Sequence, residues 1–345
     1  MRLISWHDRP RGRSMPAAVG ILVLAAGLAV AGPPTAAQAS DCTRTHTGRT
    51  PLPDLRTGTY LGAQGGLYPG GVNVRPAAHD SAGRSLAATQ VVPRNAAGAA
   101  DPTDGRIVFA SIGMSNTTQE FQAFMQAAAG DTTINPRLVM VDGAQGGRAA
   151  TDWADPNSTT WQILNDRLRQ AGVTPAQVQT VWLKQQFAGD GLGAFPGGAQ
   201  KLRDSLRSIV TIARSKYPNL RIVHLSSRTY GDYSTPTRGT GAYEQAFAVK
   251  WLIEDQIAGD PRLAYAGSDA PAPWLAWAPY LWADGLGADD VVGGVPGRSD
   301  GLEWSCADYQ SDGVHPSTSG RRKVAQALIS FYKNDTTAAP WFRRS

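Results

Sequence analysis

The chain is poor in the side chains from which metal and redox sites are built. Its 345 residues include only two cysteines and five histidines, and no His/Cys/Asp cluster has the spacing of metal ligands. We therefore do not expect a metal site. Blocks of lysine and arginine are also missing, as is any interleaving of basic with aromatic residues, so nucleic-acid binding is not expected.

The chain also has little excess charge of one sign once its first 39 residues are set apart. Of its 33 basic and 28 acidic side chains, that segment contains Arg2, Arg9, Arg11, Arg13 and Asp8. The remainder carries 29 basic and 27 acidic groups, a formal charge of +2. A strongly basic surface that would attract a polyanion is thus not predicted.

The N-terminal apolar run is too short for a membrane helix. Ala17–Ala31 falls below the roughly 20 residues that span a bilayer. It follows a basic head and precedes the small-x-small site Ala37-Gln38-Ala39, so residues 1–39 are predicted to be a signal peptide. Asp41 stands where a lipid anchor on Cys42 would need a small residue. The mature protein is expected to be secreted, extracellular or periplasmic, without membrane attachment.

Both cysteines lie beyond that cleavage site. An even number of thiols in an oxidising compartment favours one disulfide, Cys42–Cys306, over two free thiols. The bond would tie the N-terminal segment beside the loop that contains Asp312 and His315.

Residues 40–104 are rich in glycine, proline, alanine and threonine and show no sustained periodicity. We interpret them as an irregular arm that packs on a main domain, rather than as a flexible linker. Tyr60, Leu67 and Tyr68 are the expected docking groups.

From residue 105 to 335 short apolar runs alternate with longer amphipathic ones, and residues 336–345 are interpreted as a C-terminal tail. Buried strands are predicted at 107–112, 138–141, 178–183 and 220–226, with a fifth indicated near 275–281. Helices are predicted near 118–129, 160–171, 199–216 and 243–257, and from the capping residue Ser317 to Phe331. Strands without polar alternation, separated by helices, indicate an α/β domain with a parallel sheet covered on both faces.

Polar or glycine residues follow four of these strands. In order along the chain they are Ser115, Gly146-Gly147, Gln185 and Arg228. Ligands of such sheets bind at the carboxyl ends of the strands. We therefore expect these residues to converge on one edge of the sheet.

One histidine has a carboxylate at a useful spacing. Of the four that follow the leader, two lie in the arm, and His224 lies inside a strand, where a hydrogen-bonded core role is favoured. His315 follows Asp312 by three residues, so one turn can fold that carboxylate against its ring. Together with Ser115 they supply the three groups of nucleophilic acyl transfer: the serine attacks, the histidine accepts its proton and the aspartate holds the imidazole.

Three segments resemble the motifs of the SGNH (GDSL-like) hydrolase superfamily, in the style of its sialate O-acetylesterase-like carbohydrate esterases. Gly113-Met114-Ser115-Asn116 resembles the first block, Gly143–Trp153 (GAQGGRAATDW) is similar to the glycine block, and Asp312–Pro316 (DGVHP) resembles the last. The resemblance covers residues 106–333. It implies a flavodoxin-like three-layer α/β/α sandwich, the SGNH hydrolase fold, and ester hydrolysis without a cofactor.

The third block departs from that family. The usual Gly-x-Asn-Asp, or Trp-x-Gln-Gly-Glu, is replaced by Val-Trp-Leu-Lys-Gln-Gln at 181–186. By the resemblance, the amides of Ser115 and Gly147 and the side chain of Gln185 would form the oxyanion hole. Alignment on the tryptophan would put Lys184 in the place of Gln185.

The remaining candidates concern the substrate. Asn116, Gly146, Lys184 and Arg228 are candidate substrate-binding residues, and Arg228 could bind a substrate carboxylate or pair with a nearby acid. The aromatic residues between 274 and 304 could stack on sugar rings or belong to the core.

We therefore expect a secreted serine esterase that removes a small acyl group, acetyl in the first place, from a small-molecule or polysaccharide ester. Two alternatives remain. One is a non-catalytic glycan-binding protein on the same scaffold, suggested by the altered third block. The other is an acyltransferase of the same fold, which would use the same acyl-enzyme.

Overall fold

A five-stranded parallel sheet forms the centre of the molecule. The computed structural model describes residues 39–189 and 192–344. The strands of the sheet are β1 (Ile107–Gly113), β2 (Leu138–Val141), β3 (Val178–Lys184), β4 (Ile222–Leu225) and β5 (Trp274–Trp277). Their order across the sheet is β2-β1-β3-β4-β5, and every neighbouring pair is parallel. The predicted parallel sheet is confirmed.

Helices cover both faces of this sheet. The longer ones are α1 (Ala77–Thr89), α2 (Ser115–Ala128), α3 (Thr159–Gln170), α4 (Gly197–Lys216), α5 (Pro236–Ile257) and α6 (Thr318–Asn334). All seven residues of β1 and of β3 are buried, which requires a packed layer on each side of the strands. The result is the three-layer α/β/α sandwich that the sequence predicts.

The core on the α2 and α6 face is built around one aromatic residue of the central strand. The ring of Phe109 lies 5.3 Å from that of Phe121 and 4.7 Å from that of Tyr332. Trp341 and Phe342, which are 1 % and 0 % exposed, join the same cluster. The segment interpreted as a C-terminal tail is therefore part of the core, because it ends in two large aromatic side chains that the cluster buries.

The structure agrees with the predicted elements and shifts several of their boundaries, two of them by more than three residues. The predicted helix at 243–257 begins seven residues earlier, at Pro236, because the Thr235 hydroxyl caps the amide of Arg238 and proline fits the first helical position. The fifth strand ends at Trp277 rather than near residue 281.

The N-terminal arm has more regular structure than its composition indicates. It contains the 13-residue helix α1, a short helix at Leu52–Leu55 and the paired strands Thr59–Tyr60 and Ala63–Gln64. In α1 the ring of His79 stacks on Trp274, and its Nε2 lies 2.8 Å from the carbonyl oxygen of Leu275. Tertiary packing of this kind stabilises a helix that shows little periodicity of its own.

The three expected docking residues of the arm contact the main domain. The Tyr60 hydroxyl donates to Glu244 Oε1 at 2.9 Å. The carbonyl of Leu67 accepts a 2.7 Å hydrogen bond from Trp277 Nε1, and Tyr68 is buried.

The two cysteines form the predicted disulfide. Cys42 and Cys306 are bonded across 264 residues, with their Cα atoms 5.3 Å apart. Beside the bond, the Ser40 amide donates to the carbonyl of Ser311 at 2.7 Å. The disulfide thus attaches the arm to the segment that leads into the Asp312 loop.

The predicted signal peptide lies outside the described residues, apart from its last position. Among residues 39–189 and 192–344 no helix combines the length and the apolar character needed to cross a membrane.

The strand order sets the place where a ligand would bind. In the order β2-β1-β3-β4-β5 the chain direction across the sheet reverses between β1 and β3, and such a switch point opens a crevice at the carboxyl ends of the strands. Ser115 follows β1 and Gln185 follows β3, so both lie at this crevice.

Candidate active site

Ser115 lies at the turn from β1 into α2, as the first residue of the helix. A Cβ atom on the preceding Gly113 would lie 2.2 Å from Thr117 Oγ1 and 2.4 Å from the carbonyl oxygen of Lys184. Only glycine fits there, which explains the first residue of the Gly-Met-Ser-Asn segment. The Thr117 hydroxyl also donates to the Lys184 carbonyl at 2.8 Å, so the turn is fixed to the end of β3.

The structure brings Ser115, His315 and Asp312 together. Ser115 Oγ lies 2.8 Å from His315 Nε2, although 200 residues separate them in the chain. His315 Nδ1 lies 2.5 Å from Asp312 Oδ2. In this geometry the serine hydroxyl can pass its proton to the imidazole while the carboxylate holds the other ring nitrogen.

The loop around His315 is fixed by its own backbone. Asp312 Oδ1 accepts the amides of Val314 and His315, both at 2.9 Å. Gly313 has a φ of +64°, and a Cβ atom there would lie 2.6 Å from the backbone of Tyr233. A glycine is therefore required in the turn that folds Asp312 against the ring.

Asp312 is held in its charged form. Burial tends to raise the pKa of its carboxyl, but the hydrogen bonds from the His315 ring and from the two amides outweigh burial and lower the pKa below its usual value. A carboxylate that stays ionised stabilises an imidazolium beside it.

Asn116 has a positioning contact instead of an open amide. Its Nδ2 donates to the carbonyl of Val314 at 2.7 Å, and its side chain is 2 % exposed. The bond connects the start of α2 to the His315 loop. Asn116 lines the cavity in front of Ser115, as expected for a residue near the substrate, but its side-chain nitrogen is engaged by the protein.

Gly146 lies beside the serine and Gly147 follows it in the same loop, although neither glycine lines the cavity in front of Ser115. A Cβ atom on Gly146 would be 3.8 Å from the Ser115 Cβ, and Gly147 has a φ of +72°. Within the described part of the chain, the amides of Ser115 and Gly147 have no hydrogen-bond acceptor. Exposed amides beside a nucleophile can stabilise a developing oxyanion.

The side chain of Gln185 has a different task from the predicted one. Its Nε2 donates to the carbonyl of Arg148 at 3.0 Å, and its Oε1 accepts the amide of Gln186 at 2.8 Å. Gln185 is 1 % exposed and is not among the residues that line the cavity. It holds the glycine loop against the end of β3, so its assignment as an oxyanion donor is corrected to a positioning role.

Lys184 is not a substrate-binding residue in this structure. Its ammonium is fully buried and forms an ion pair with Glu120 of α2, which is also fully buried. Burial lowers the pKa of Lys184 to about 8, and the Glu120 carboxylate limits that fall. Neither side chain lines the cavity. The alternating direction of side chains along β3 turns Lys184 toward α2, which the sequence pattern did not reveal.

The aromatic residues between 274 and 304 belong to the core. Trp274, Trp277, Trp282 and Trp304 are at most 3 % exposed, so none presents a ring for stacking on a sugar. His224 is fully buried as well, and its Nε2 lies 3.0 Å from the Thr337 hydroxyl. The predicted core role of His224 is confirmed.

A cavity of about 120 Å³ opens in front of Ser115 and His315. It is lined by Arg228, which follows β4, as predicted, and also by Gln186, which follows β3, and Arg238 of α5, neither of which was singled out from the sequence. Arg238 lies in the first turn of α5, and the signal that could have identified it is Thr235-Pro236, which places the start of α5 at the cavity.

A buried glutamine joins two of the strand ends. Gln245 of α5 donates from Nε2 to the carbonyl of Gln185 at 3.1 Å and accepts the amide of Arg228 at Oε1, at 2.9 Å. This residue was also missed, because an internal helix glutamine has no sequence feature that indicates a bridging role. No group of three or more His, Cys, Asp or Glu side chains in residues 39–189 and 192–344 is arranged to hold a metal ion.

Comparison with known proteins finds distant structural likenesses only. No protein-family model matches the chain, and no curated protein matches it. Twenty-one chains of known structure do match. One is a carbohydrate esterase family 3 structure from Talaromyces cellulolyticus, 13% identical, with 64% of this chain and 94% of that chain covered and a TM-score of 0.38.

Two further matches are of the same kind. The C-terminal catalytic domain of peptidoglycan O-acetyltransferase A from Streptococcus pneumoniae is 12% identical, with 70% of this chain and 98% of that chain covered and a TM-score of 0.32. A candidate SGNH hydrolase from Slackia heliotrinireducens is 14% identical, with 66% and 99% covered and a TM-score of 0.35.

Proposed function

We propose that this protein is a serine esterase that hydrolyses small acyl esters through an acyl-enzyme on Ser115. The observation that carries the proposal is the continuous hydrogen-bonded line from Ser115 Oγ through the His315 ring to Asp312, with steps of 2.8 and 2.5 Å. Serine needs an adjacent base to act as a nucleophile at neutral pH, and this arrangement supplies one.

The first half of the reaction would transfer the acyl group to the enzyme. Ser115 Oγ attacks the acyl carbon, and its proton moves to His315 Nε2. The imidazolium is stabilised by Asp312, and it returns the proton to the alcohol oxygen as the ester bond breaks. A water molecule then repeats the sequence on the acyl-enzyme, with His315 as base, and releases the acid and the free serine.

The amides of Ser115 and Gly147 would bind the negative oxygen of each tetrahedral intermediate. Their lack of another acceptor among the described residues supports this assignment. A donor of this kind typically contributes about a hundredfold or more to turnover.

The small cavity favours a short acyl group such as acetyl. A carbohydrate as the alcohol part follows from the glycine-block resemblance alone, since the tryptophans are buried. The Cys42–Cys306 disulfide supports the proposal that the mature chain is exported to an oxidising compartment. Within that chain we retain the division into an arm at 40–104 and a hydrolase domain at 105–335.

Active-site labelling tests the nucleophile directly. Purified mature protein is expected to react with a fluorophosphonate probe and to hydrolyse 4-nitrophenyl acetate. Ser115→Ala should abolish the labelling and lower kcat by about 10⁴-fold or more. Ser319→Ala is the matched control, because Ser319 is exposed, hydrogen-bonds with Ser317 and with the carbonyl of Ala307, and does not line the cavity. Labelling that persists in Ser115→Ala would rule out this nucleophile.

A glycan-binding protein without activity is the second candidate. It is favoured by the engagement of the Gln185 side chain, which leaves backbone amides as the oxyanion donors identified here. Glycan-array binding that is unchanged in Ser115→Ala, with no probe labelling of wild type, would support it. An acyltransferase would instead label at Ser115 and give acylated products when sugar acceptors replace water.

A further inference from the structure

Arg228 is a buried cation whose guanidinium has no hydrogen-bond or ion-pair partner among residues 39–189 and 192–344. Its residue is 9 % exposed, and it lies on the wall of the cavity that also contains Ser115 and His315. Nη1 of its guanidinium is completely buried and has no hydrogen-bond acceptor. The backbone amide of Arg228 donates to Gln245, so the position of the residue is fixed, whereas its guanidinium forms no hydrogen bond with the described residues.

The charges around Arg228 do not balance. Glu120 is the nearest acidic influence on its guanidinium, but Glu120 already forms an ion pair with Lys184. No carboxylate in the described part of the chain lies within ion-pair distance of Arg228. A guanidinium stays protonated at neutral pH. One carboxylate therefore serves two buried cations, and the desolvated positive charge on Arg228 lacks a counterion.

Other buried arginines of the protein show what a structural role looks like. Arg214, which is also 9 % exposed, donates to the carbonyls of Pro218 and Ser268. Arg298 donates to two backbone carbonyls and forms an ion pair with Asp300. Arg228 has none of these contacts, so structural support does not explain its burial.

Arg228 lies on the side of Ser115 away from the amides proposed to bind the oxyanion. The Gly146-Gly147 loop follows β2, which neighbours β1 on one side, whereas Arg228 follows β4, two strands from β1 on the other side. With strands spaced about 4.8 Å apart, the ends of β1 and β4 are roughly 10 Å from each other. A donor to the oxyanion must lie within about 3 Å of that oxygen. The backbone of Arg228 thus lies on the side of β1 opposite the Gly147 loop, which favours a role for its guanidinium at another part of the substrate.

We propose that the ester substrate carries a carboxylate and that Arg228 binds this group while the acyl carbon lies against Ser115. The planar guanidinium matches a carboxylate through two parallel hydrogen bonds. The proposal rests on the esterase function above and narrows its substrate to acidic esters. Arg238, on the same wall of the cavity, adds to the positive potential there.

Two pairs of esters, detected by colour or by ultraviolet absorbance, test whether the enzyme recognises a substrate carboxylate. The two members of each pair differ by one negative charge. For a carboxylate on the alcohol part, 4-acetoxybenzoate is compared with its methyl ester. For a carboxylate on the acyl part, 4-nitrophenyl hemisuccinate is compared with its methyl ester. The neutral members report the esterase reaction itself, and the ratio of kcat/KM within a pair reports recognition of the charge.

In wild type the acidic member of one pair should be preferred. Arg228→Gln should lower kcat/KM for that acidic ester by roughly 10- to 100-fold, the range of a charge-assisted hydrogen bond, and change the neutral ester by less than about threefold. Arg228→Lys keeps the positive charge but lacks the planar guanidinium. Its kcat/KM for the acidic ester should lie between the values of wild type and Arg228→Gln. Arg214→Gln is the control, since it removes the same charge at the same burial and should leave both ratios at their wild-type values.

Thermal unfolding gives a second measurement. Arg228→Gln should keep or raise the Tm because it removes an uncompensated buried charge, whereas Arg214→Gln should lower it. If Arg228→Gln does not fold, the kcat/KM ratios of wild type and of Arg228→Lys within each ester pair test the carboxylate proposal.

Three results would overturn the proposal: no preference of wild type for the acidic member of either pair, equal losses on acidic and neutral esters, or unchanged ratios in Arg228→Gln. If wild type hydrolyses none of the esters, the esterase proposal itself fails. If neutral esters are hydrolysed in a Ser115-dependent way without charge preference, only the carboxylate proposal fails.

Discussion

Two sets of polar side chains in this protein differ in their access to water. In the rim, formed by Ser115, Asp312 and His315, the aspartate and histidine side chains are each 33 % exposed and hydrogen-bond to one another. In the interior polar groups, Glu120, Lys184 and His224, all three residues are completely buried.

This difference in burial explains why the two histidines, His315 and His224, have different chemistry. His315 has a carboxylate on one ring nitrogen and the serine on the other, so it can accept and return a proton. His224 is desolvated, and burial lowers its pKa to about 3, although the charge of Asp335 works in the opposite direction. We therefore expect substitutions in the rim to change turnover and substitutions among the interior groups to change stability.

The largest expected effect separates the two histidines. His315→Ala should lower kcat for 4-nitrophenyl acetate by about 10⁴-fold or more, because Ser115 loses its base. His224→Gln should keep kcat within a few-fold of wild type in folded protein. Steady-state kinetics, with far-ultraviolet circular dichroism to confirm folding, measure both. Equal turnover in wild type and His315→Ala would break the distinction.

The buried ion pair should show the opposite behaviour. Lys184→Met leaves the Glu120 carboxylate buried without its partner and should lower the free energy of unfolding by about 3–5 kcal/mol. The double variant Glu120→Leu/Lys184→Met should recover most of that loss, since it removes both charges. Urea unfolding measures the three proteins. A loss below about 1 kcal/mol in Lys184→Met would show that the pair is not part of the stable interior.

Acid should destabilise the protein partly through His224. Its folded pKa of about 3 lies below the unfolded value of 6.5, so between these values only the unfolded chain takes up the proton, and stability falls as the pH falls. One such proton costs roughly 2.5 kcal/mol between pH 6 and pH 4. Urea unfolding at several pH values should show a shallower decline for His224→Gln. Parallel curves for the two proteins would contradict the assigned pKa.

The smallest expected effect concerns Asn116, which supports the His315 loop from the start of α2. Asn116→Ala removes the hydrogen bond to the Val314 carbonyl and should lower kcat by about tenfold, because the His315 loop loses one of its supports. The expected change in KM is small. Gln119→Ala, one turn further along α2, is the control. An unchanged kcat in Asn116→Ala would indicate that Asp312 and its two amide contacts hold the loop without help.

The strands and most helices could be predicted because their patterns are local. An unbroken apolar run such as Ile107–Ile112 indicates a strand buried on both faces, and the structure has Ile107–Gly113 there. The position of Asp312 relative to the His315 ring also follows from a three-residue spacing and a glycine with positive φ. In the arm, by contrast, α1 was missed, because its stability comes from contacts with Trp274 rather than from its own sequence.

The errors at the candidate site share one cause. Gln185 and Lys184 were chosen for their position after a strand, but the direction of each side chain depends on what packs beside it. Composition alone did not show whether the tryptophans near 274–304 lie in the core or at the surface. In the structure they are buried beneath the surrounding helices and the arm. Burial and pairing depend on residues distant in the chain.

The sequence by itself determined the alternation of strands and helices, the glycines of the two tight turns and the placing of Asp312 against His315. These depend on backbone geometry within a few residues. The tertiary structure was needed to show that Ser115 Oγ lies within hydrogen-bond distance of a histidine 200 residues away, that Glu120 pairs with Lys184, and that Arg228 has no counterion in the described part of the chain. A pairing of this kind is set by the packing of α2, β3 and β4 against one another, and no spacing along the chain encodes that packing directly.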